Sequence, residues 1–412
     1  MRSSPTHKWR VLLLLALAEL LAMSLWFSAT AVMPSLIDAW QLSTGGAAWL
    51  TMSVQLGFVA GAVASALLNV ADVWPPRKVL AIGAFAGAGL NALIPLVVDA
   101  LPLALVLRFG TGVTLAAVYP VGMKIMATWT KEDRGLGLGL LVGALTIGSA
   151  SPHLVRALGG VGDWRLVLFI VSGLAAVGGI IVWFVGELGP YRSAAPKFRW
   201  RYMSRSLTNR SLRLANFGYL GHMWELYAMW TWIPVFLAFA YGTASDDSLF
   251  GRLGADRSAA FVAFAVIGAG GAGSLAAGWL ADLWGRTRTT IASMITSGAC
   301  TLTIGLFLDG HPYLVTAVAL VWGFAIVADS AQFSSAVSEL GDSEYMGTLL
   351  TTQTAMGFLL TLISIRMIPG VVDWVGWRWA FATLAIGPIL GSGAMLALLR
   401  SPEAAKLAGG RG

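Results

Sequence analysis

Twelve stretches of 20 to 27 residues, nearly free of charged side chains, run through this 412-residue chain and take up about two thirds of it. A helix that crosses the hydrocarbon core needs about 20 mostly apolar residues. In lipid every backbone polar group must be bonded internally, and runs of this length satisfy that condition as helices. The spans, numbered in chain order, are Val11–Met33, Ala47–Asn69, Val79–Val98, Leu103–Met126, Leu136–Leu158 and Trp164–Gly186, then Leu214–Ala240, Ser258–Ala281, Thr289–Leu308, Tyr313–Ser338, Gly347–Ile368 and Trp377–Leu399. The expected fold is therefore an all-α polytopic membrane protein, and the short segments left over hold no separate soluble domain. Composition excludes the soluble alternative: 57% of residues are hydrophobic and 11% charged, against about 25% charged in ordinary soluble domains. Span 1 is longer than a signal-peptide core of roughly 7–15 residues, and it carries Glu19, so it is retained as a helix.

The basic residues orient the spans. The N-terminal tail, the segments after spans 2, 4 and 8, the central segment and the C-terminal tail together hold 19 of the 27 Lys and Arg. The opposite side holds six, Arg156, Arg165, Arg252, Arg257, Arg366 and Arg378. An excess of Lys and Arg marks the cytoplasmic side, which places both termini and the central loop in the cytoplasm of a cell (inner or plasma) membrane. The central loop has Arg192, Lys197, Arg199, Arg201, Arg205, Arg210 and Arg213 with no acid between Gly189 and Arg213. This stretch reads as a segment facing lipid headgroups, and the net charge of +7 reads as a topology signal rather than a nucleic-acid footprint. Tryptophans such as Trp9, Trp40, Trp129, Trp164, Trp374 and Trp377 fall at span ends, as an interfacial belt requires.

The central loop divides the chain into an N-terminal six-helix bundle (1–187), the loop itself (188–213) and a C-terminal six-helix bundle (214–412). The halves repeat. Span 1 reads Glu19-Leu-Leu-Ala-Met-Ser-Leu-Trp26, span 7 reads Glu225-Leu-Tyr-Ala-Met-Trp-Thr-Trp232, and five of the eight positions are identical. Ala71-Asp72-Val73-Trp74 after span 2 answers Ala281-Asp282-Leu283-Trp284 after span 8, and spans 6 and 12 both open on Trp-Arg. Parallel six-helix repeats are a transporter architecture in which the substrate site lies near the bilayer midplane between the halves.

The stretch Gly278-Trp-Leu-Ala-Asp282-Leu-Trp-Gly285-Arg286-Thr-Arg288 resembles the cytoplasmic loop signature of the major facilitator superfamily. Its first-half counterpart keeps Asp72, Arg77 and Lys78 but has Val73 and Pro75 where the family has Arg and Gly. Arg108 followed by Gly112 in span 4 resembles a second signature. Gly139, Gly143, Gly148 and Pro152 in span 5 only approximate the antiporter pattern, because Ser151 precedes the proline. The resemblance implies the superfamily's twelve-helix fold, gating loops at Asp72, Arg77, Lys78, Asp282, Gly285, Arg286 and Arg288, and a central cavity lined by spans 1, 4, 7 and 10. It implies a secondary active transporter of a small solute working by alternating access.

All four of those spans carry a charged residue: Glu19, Arg108, Glu225 and Asp329. An ionised side chain at the bilayer centre costs about 2.5–3.5 kcal/mol on insertion scales, so intramembrane charges are functional candidates. A carboxyl withdrawn from water holds its proton more readily, and yields it when water or a cation approaches. Glu19 and Glu225, at matched positions of the repeat, are accordingly assigned to carry a proton. Asp329 is assigned as a secondary acid, and His222 as a group that titrates near neutrality. Helical spacing puts Glu19, Met23 and Trp26 on one face of span 1, and His222, Glu225, Met229 and Trp232 on one face of span 7. With Arg108, Tyr119, Trp322 and Gln332 these complete the candidate substrate cavity. The competing reading of each is helix packing. Lys124, Glu339 and Arg366, near span ends, are read as snorkelling to the interface, and His153 as a satisfied polar residue.

One cysteine and four histidines suggest no metal centre, and no cofactor is expected. Gly268-Ala-Gly-Gly-Ala-Gly273 fits a dinucleotide pattern, but it lies inside an apolar span with no preceding strand. Its glycines, like Gly57/Gly61 and Gly83/Gly87, read as close-packing positions. There is no Walker A sequence and no catalytic constellation, so the chain is not read as an enzyme. The expected partners are a small-molecule substrate, protons and the lipid bilayer, with the protein as a monomer. Two alternatives stay open: uptake or exchange of a small organic or inorganic anion through Arg108, and a transporter-like membrane sensor.

Overall fold

The computed structural model describes residues 5–130, 134–159, 163–185, 187–191, 198–242 and 248–412. Arg2, Lys131, Arg192 and Lys197 of the topology argument lie outside these residues, as do the side chains of Asp72 and Arg134. The described chain is helical with no strand. Ten of its helical stretches are long and apolar enough to cross a membrane, and they correspond to spans 2–6 and 8–12. The other two expected spans are also helical, Pro5–Met23 and Arg210–Tyr241. The first carries Lys8, Arg10 and Glu19. The second carries Arg213, His222 and Glu225 among tryptophans and tyrosines. Each therefore carries one of the repeat-matched glutamates together with basic residues at its N-terminal end.

Local chemistry sets the helix ends. Ser43 Oγ accepts from Gly46 N at 3.0 Å and caps Thr44–Leu68, which stops at the left-handed Asn69. Pro76 occupies the first turn of Pro76–Val97, where its missing N–H costs nothing. Asn209 accepts from Ser211 N and Leu212 N and starts Arg210–Tyr241. Span 7 therefore begins four residues before the apolar run does, and the segment expected as loop contains the short helices Trp200–Tyr202 and Arg205–Thr208. Gly285 (φ 96°) and Gly376 (φ 73°) separate span 8 from 9 and span 11 from 12, at angles that L side chains disfavour.

The chain forms two compact units, Met1–Phe198 and Arg199–Gly412. Within the first, span 2 packs on 4, span 3 on 6, and span 1 on 5 and 6; within the second, span 8 packs on 10, 9 on 12, and 7 on 11 and 12. Every one of these pairings recurs six spans later, so the repeat read from sequence is also a repeat of packing. Glycines bring the 2/4 and 8/10 pairs together backbone to backbone. A Cβ on Gly57 would collide with Phe109 O, one on Gly112 with Val54 O, one on Gly273 with Phe324 O and one on Gly323 with Val266 O. Lipid tails are as apolar as leucine, so close van der Waals contact of this kind drives helices together in a bilayer.

Three spans expected to be continuous are broken. Span 1 ends its helix at Met23, turns through Ser24–Phe27, and resumes as the short helices Ser28–Ala31 and Met33–Trp40. Span 4 divides into Leu101–Leu115 and Tyr119–Trp129. Pro120 lacks an N–H and restricts the residue before it, which explains that break. Span 10 divides at Asp329, between Pro312–Ala328 and Ser330–Leu340.

Candidate functional site

In the second unit, span 7 brings the expected acids and their partners into one buried group. The Glu225 carboxylate accepts from Trp322 Nε1 at 2.6 Å and from Ser297 Oγ at 2.9 Å, so spans 9 and 10 both reach the same side chain. One turn earlier on span 7, His222 Nδ1 lies 2.8 Å from Asp329 Oδ1. Glu225, His222 and Asp329 are each no more than 2% exposed. Asp329 stands at the break of span 10, at the N-cap of Ser330–Leu340, yet its side chain makes no capping bond to that helix; the carboxyl is turned to His222 instead. His222 Nε2 has no hydrogen-bond partner among the described residues. Trp322, expected as a wall of the cavity, is thus also a hydrogen-bond donor to the central acid. Ser297 was missed because a serine in an apolar run gives no periodic signal. Met229 is fully buried. Trp232, expected on the same face, donates from Nε1 to Ile365 O of span 11 at 3.0 Å, so that face divides between neighbours.

The matched acid of the first unit is differently placed. Glu19 is 0% exposed, and neither carboxyl oxygen has a hydrogen-bond partner among the described residues. It lies against Gly122 of span 4, where a Cβ would come within 2.5 Å of Glu19 Oε2; the absent side chain makes the room. Tyr119, which opens the same helix, is its electrostatic neighbour. The shared face expected for Glu19, Met23 and Trp26 is corrected at its end. The helix stops at Met23, and Trp26 falls in the break, where its ring packs 4.8 Å from Phe58.

Arg108 holds that break. Its Nη1 donates to Leu25 O at 2.9 Å and Ser28 Oγ at 2.9 Å, Nη2 donates to Trp26 O, and Nε donates to Leu50 O at 3.4 Å. Ser28 Oγ donates to Asn91 Oδ1, and Asn91 Nδ2 donates to Leu168 O and to Ser172 Oγ. Spans 1, 2, 3, 4 and 6 thus meet in one buried polar network around a guanidinium that is 0% exposed. Carbonyls of the turn between the two helical pieces of span 1, Leu25 O and Trp26 O, thus receive the cation. Arg156 of span 5, read from sequence as an outer-side basic residue, is buried and donates to Ala31 O at 3.0 Å. Asn91 and Ser172 were legible only as polar residues inside apolar runs. His153 is buried, and neither ring nitrogen has a hydrogen-bond partner among the described residues, which corrects its reading as a satisfied polar residue.

The two signature loops differ. Arg77 and Lys78 are exposed at the start of span 3. Arg286 instead forks onto Glu339, Nε to Oε2 at 2.9 Å and Nη2 to Oε1 at 2.6 Å, while its Nη1 donates to Gln332 Oε1 at 2.8 Å. Glu339, expected to reach for the interface, is drawn into this clamp, because a bidentate Arg–carboxylate pair is the stronger partner. Gln332, expected to line the cavity, joins it. Asp282 is exposed, and Arg288 donates to Trp284 O. Among the described residues no cluster of His, Cys, Asp and Glu fits a metal ion.

Comparison with known proteins agrees with this architecture. Residues 15–365 match the family described as the Major Facilitator Superfamily. A bacterial homologue of the human lysosomal transporter Spinster, solved in an inward-facing and unoccupied conformation, superposes with a TM-score of 0.71 at 13% identity, covering 97% of this chain and 98% of its own. The nucleoside transporter NupG, solved as a single-site mutant, superposes with a TM-score of 0.72 at 16% identity, covering 95% of this chain and 100% of its own. No curated protein matches the sequence.

Proposed function

This chain belongs to the major facilitator superfamily and is a multi-pass membrane transporter; from that premise we propose that it is a proton-coupled carrier of a small solute, working by alternating access in the cell membrane as a monomer. The observation that carries the reading is the pair of repeat-matched glutamates, both buried, one bonded on both oxygens and the other on neither. Charge at this depth is costly, and a family member that keeps an acid there in each half has a use for gaining and losing it. In this proposal Glu19 and Glu225 carry the proton, and Asp329 with His222 forms the adjoining acid–base pair. Met23, Trp26, Tyr119, Met229, Trp232 and Trp322 contribute to the solute path. The reading through Arg108 as an anion receptor has less support, because its donors are engaged by carbonyls, Ser28 and Asn91.

The test is accumulation of a dye or labelled solute in vesicles with and without an imposed pH gradient. A thermal-stabilisation screen chooses the solute, since a ligand that binds the folded state raises apparent stability. Glu225→Gln is expected to abolish gradient-driven accumulation at near-normal expression, and accumulation equal to wild type removes Glu225 from coupling. Transport in neither condition would favour the sensor reading.

A further inference from the structure

Residues 402–412 fold back onto the second signature loop. After span 12 the chain forms the 3-10 turn that begins at Pro402, becomes extended at Leu407 (φ −85°, ψ 140°), and then hooks through left-handed Ala408 (φ 47°), Gly409 (φ 64°) and Gly410 (φ 98°). Ala408 carries a Cβ at an angle that glycine tolerates and alanine resists, so other contacts must hold the hook in place. Three are visible. Ala408 N donates to Glu339 Oε2 at 2.9 Å, the same oxygen that receives Arg286 Nε. Leu407 is 0% exposed. Thr287 N donates to Gly412 O at 3.2 Å.

Thr287 lies in the first turn of Arg286–Thr303, where backbone N–H groups have no partner within the helix, and Gly285 before it supplies no side-chain cap. The hook supplies that cap. Gly285 also provides the room, since a Cβ there would collide with Arg411 O and Gly412 O. The glycine of the signature thus serves two purposes, a backbone angle of φ 96° and a seat for the folded-back chain.

We propose that residues 402–412 form a strap that fastens the 284–288 turn to the end of span 10 through Glu339, and that the strap must release before this turn can rearrange. Glu339 is the shared post: Arg286 grips it from the turn and Ala408 from the strap, so loosening either frees a donor or acceptor of the other.

Hydrogen–deuterium exchange in lipid nanodiscs tests the strap on the intact protein, the chain stopped after Ser401, and Ala408→Pro. The proline removes the N–H donor and cannot adopt a left-handed φ. Amides of residues 285–290 are expected to exchange at least tenfold faster in both variants, with 259–277 of span 8 unchanged. Adding a synthetic peptide of residues 402–412 should restore protection in the shortened chain. Unchanged exchange at 285–290 in a folded variant overturns the proposal. Should neither variant fold, the intact protein decides: 402–412 and 285–290 must open as one unit under increasing denaturant, and free-peptide exchange of 402–412 refutes the strap. No readout needs a substrate or a proton gradient, so this inference and the carrier reading fail independently.

Discussion

At the scale of single residues, the molecule puts its charged side chains to two different uses. Glu225 and Glu19 occupy matched places in the repeat, yet only Glu225 is fastened by donors. Arg108, read from sequence as a cavity residue with helix packing as the competing reading, has its donors spread over three backbone carbonyls, a hydroxyl and an amide. A lysine is a point charge on a flexible stem and does not reproduce that planar fork. Arg108→Lys is therefore expected to lose at least one hydrogen bond to a charged group, about 1.5–3 kcal/mol. For a unit of this size that lowers the unfolding midpoint of detergent-purified protein by roughly 3 °C or more, and a midpoint equal to wild type would show that the fork is dispensable. The positions of Glu19, Arg108, Glu225 and Asp329 were legible in the sequence, because a charge in an apolar run stands out; Arg156, near the end of its run, was read as an outer-side residue and is buried instead. Trp322 and His222 were named beside them, but the other members of the polar groups were not. Ser297, Asn91 and Ser172 come from other spans, and no periodicity links residues this far apart in the chain.

At the scale of the helix, existence and length followed from hydropathy, whereas the breaks did not. Span 4 advertises its break through Pro120, but span 1 breaks at Ser24–Phe27 with neither proline nor glycine. The hydroxyl of Ser24 bonds back to Leu21 O, competing with the helix ladder, and Arg108 donates to Leu25 O and Trp26 O in the turn that follows. The glycines sort in the same physical way. Gly112 and Gly268 look alike in sequence, both inside apolar runs. A Cβ at Gly112 meets the backbone of span 2, which cannot step aside, whereas one at Gly268 meets nothing within 4 Å. Gly112→Ala is expected to destabilise by about 1–3 kcal/mol or more through overpacking. Gly268→Ala should be neutral or slightly stabilising, alanine being the better helix former. Fluorescence-detected size exclusion after a temperature series separates the two outcomes, and equal loss in both variants would contradict the packing account.

At the scale of the whole molecule, the recurrence of helix pairings six spans apart was announced by a few short matches, of which Glu19–Trp26 with Glu225–Trp232 is the longest. The positive-inside count predicts that a reporter fused at the C-terminus reads cytoplasmic. A periplasmic or extracellular signal would invert the topology and put the Arg286–Glu339 clamp on the wrong side for a cytoplasmic gate. That clamp and the strap beside it were not foreseen. Glu339 gave a sequence reader a charge near a span end but no hint of two partners, one 53 residues earlier and one 69 later.

Two helices, Pro5–Met23 and Arg210–Tyr241, stand outside the ten that are long and apolar enough to cross a membrane, and each carries one of the matched glutamates. The insertion machinery judges each emerging segment largely on its own apolarity, and a Glu near mid-segment is penalised there. The first segment of each half therefore enters less readily than the same run would without its acid. In the folded chain the neighbours that shelter these acids come from later segments, Gly122 making room for Glu19 and Ser297 and Trp322 donating to Glu225.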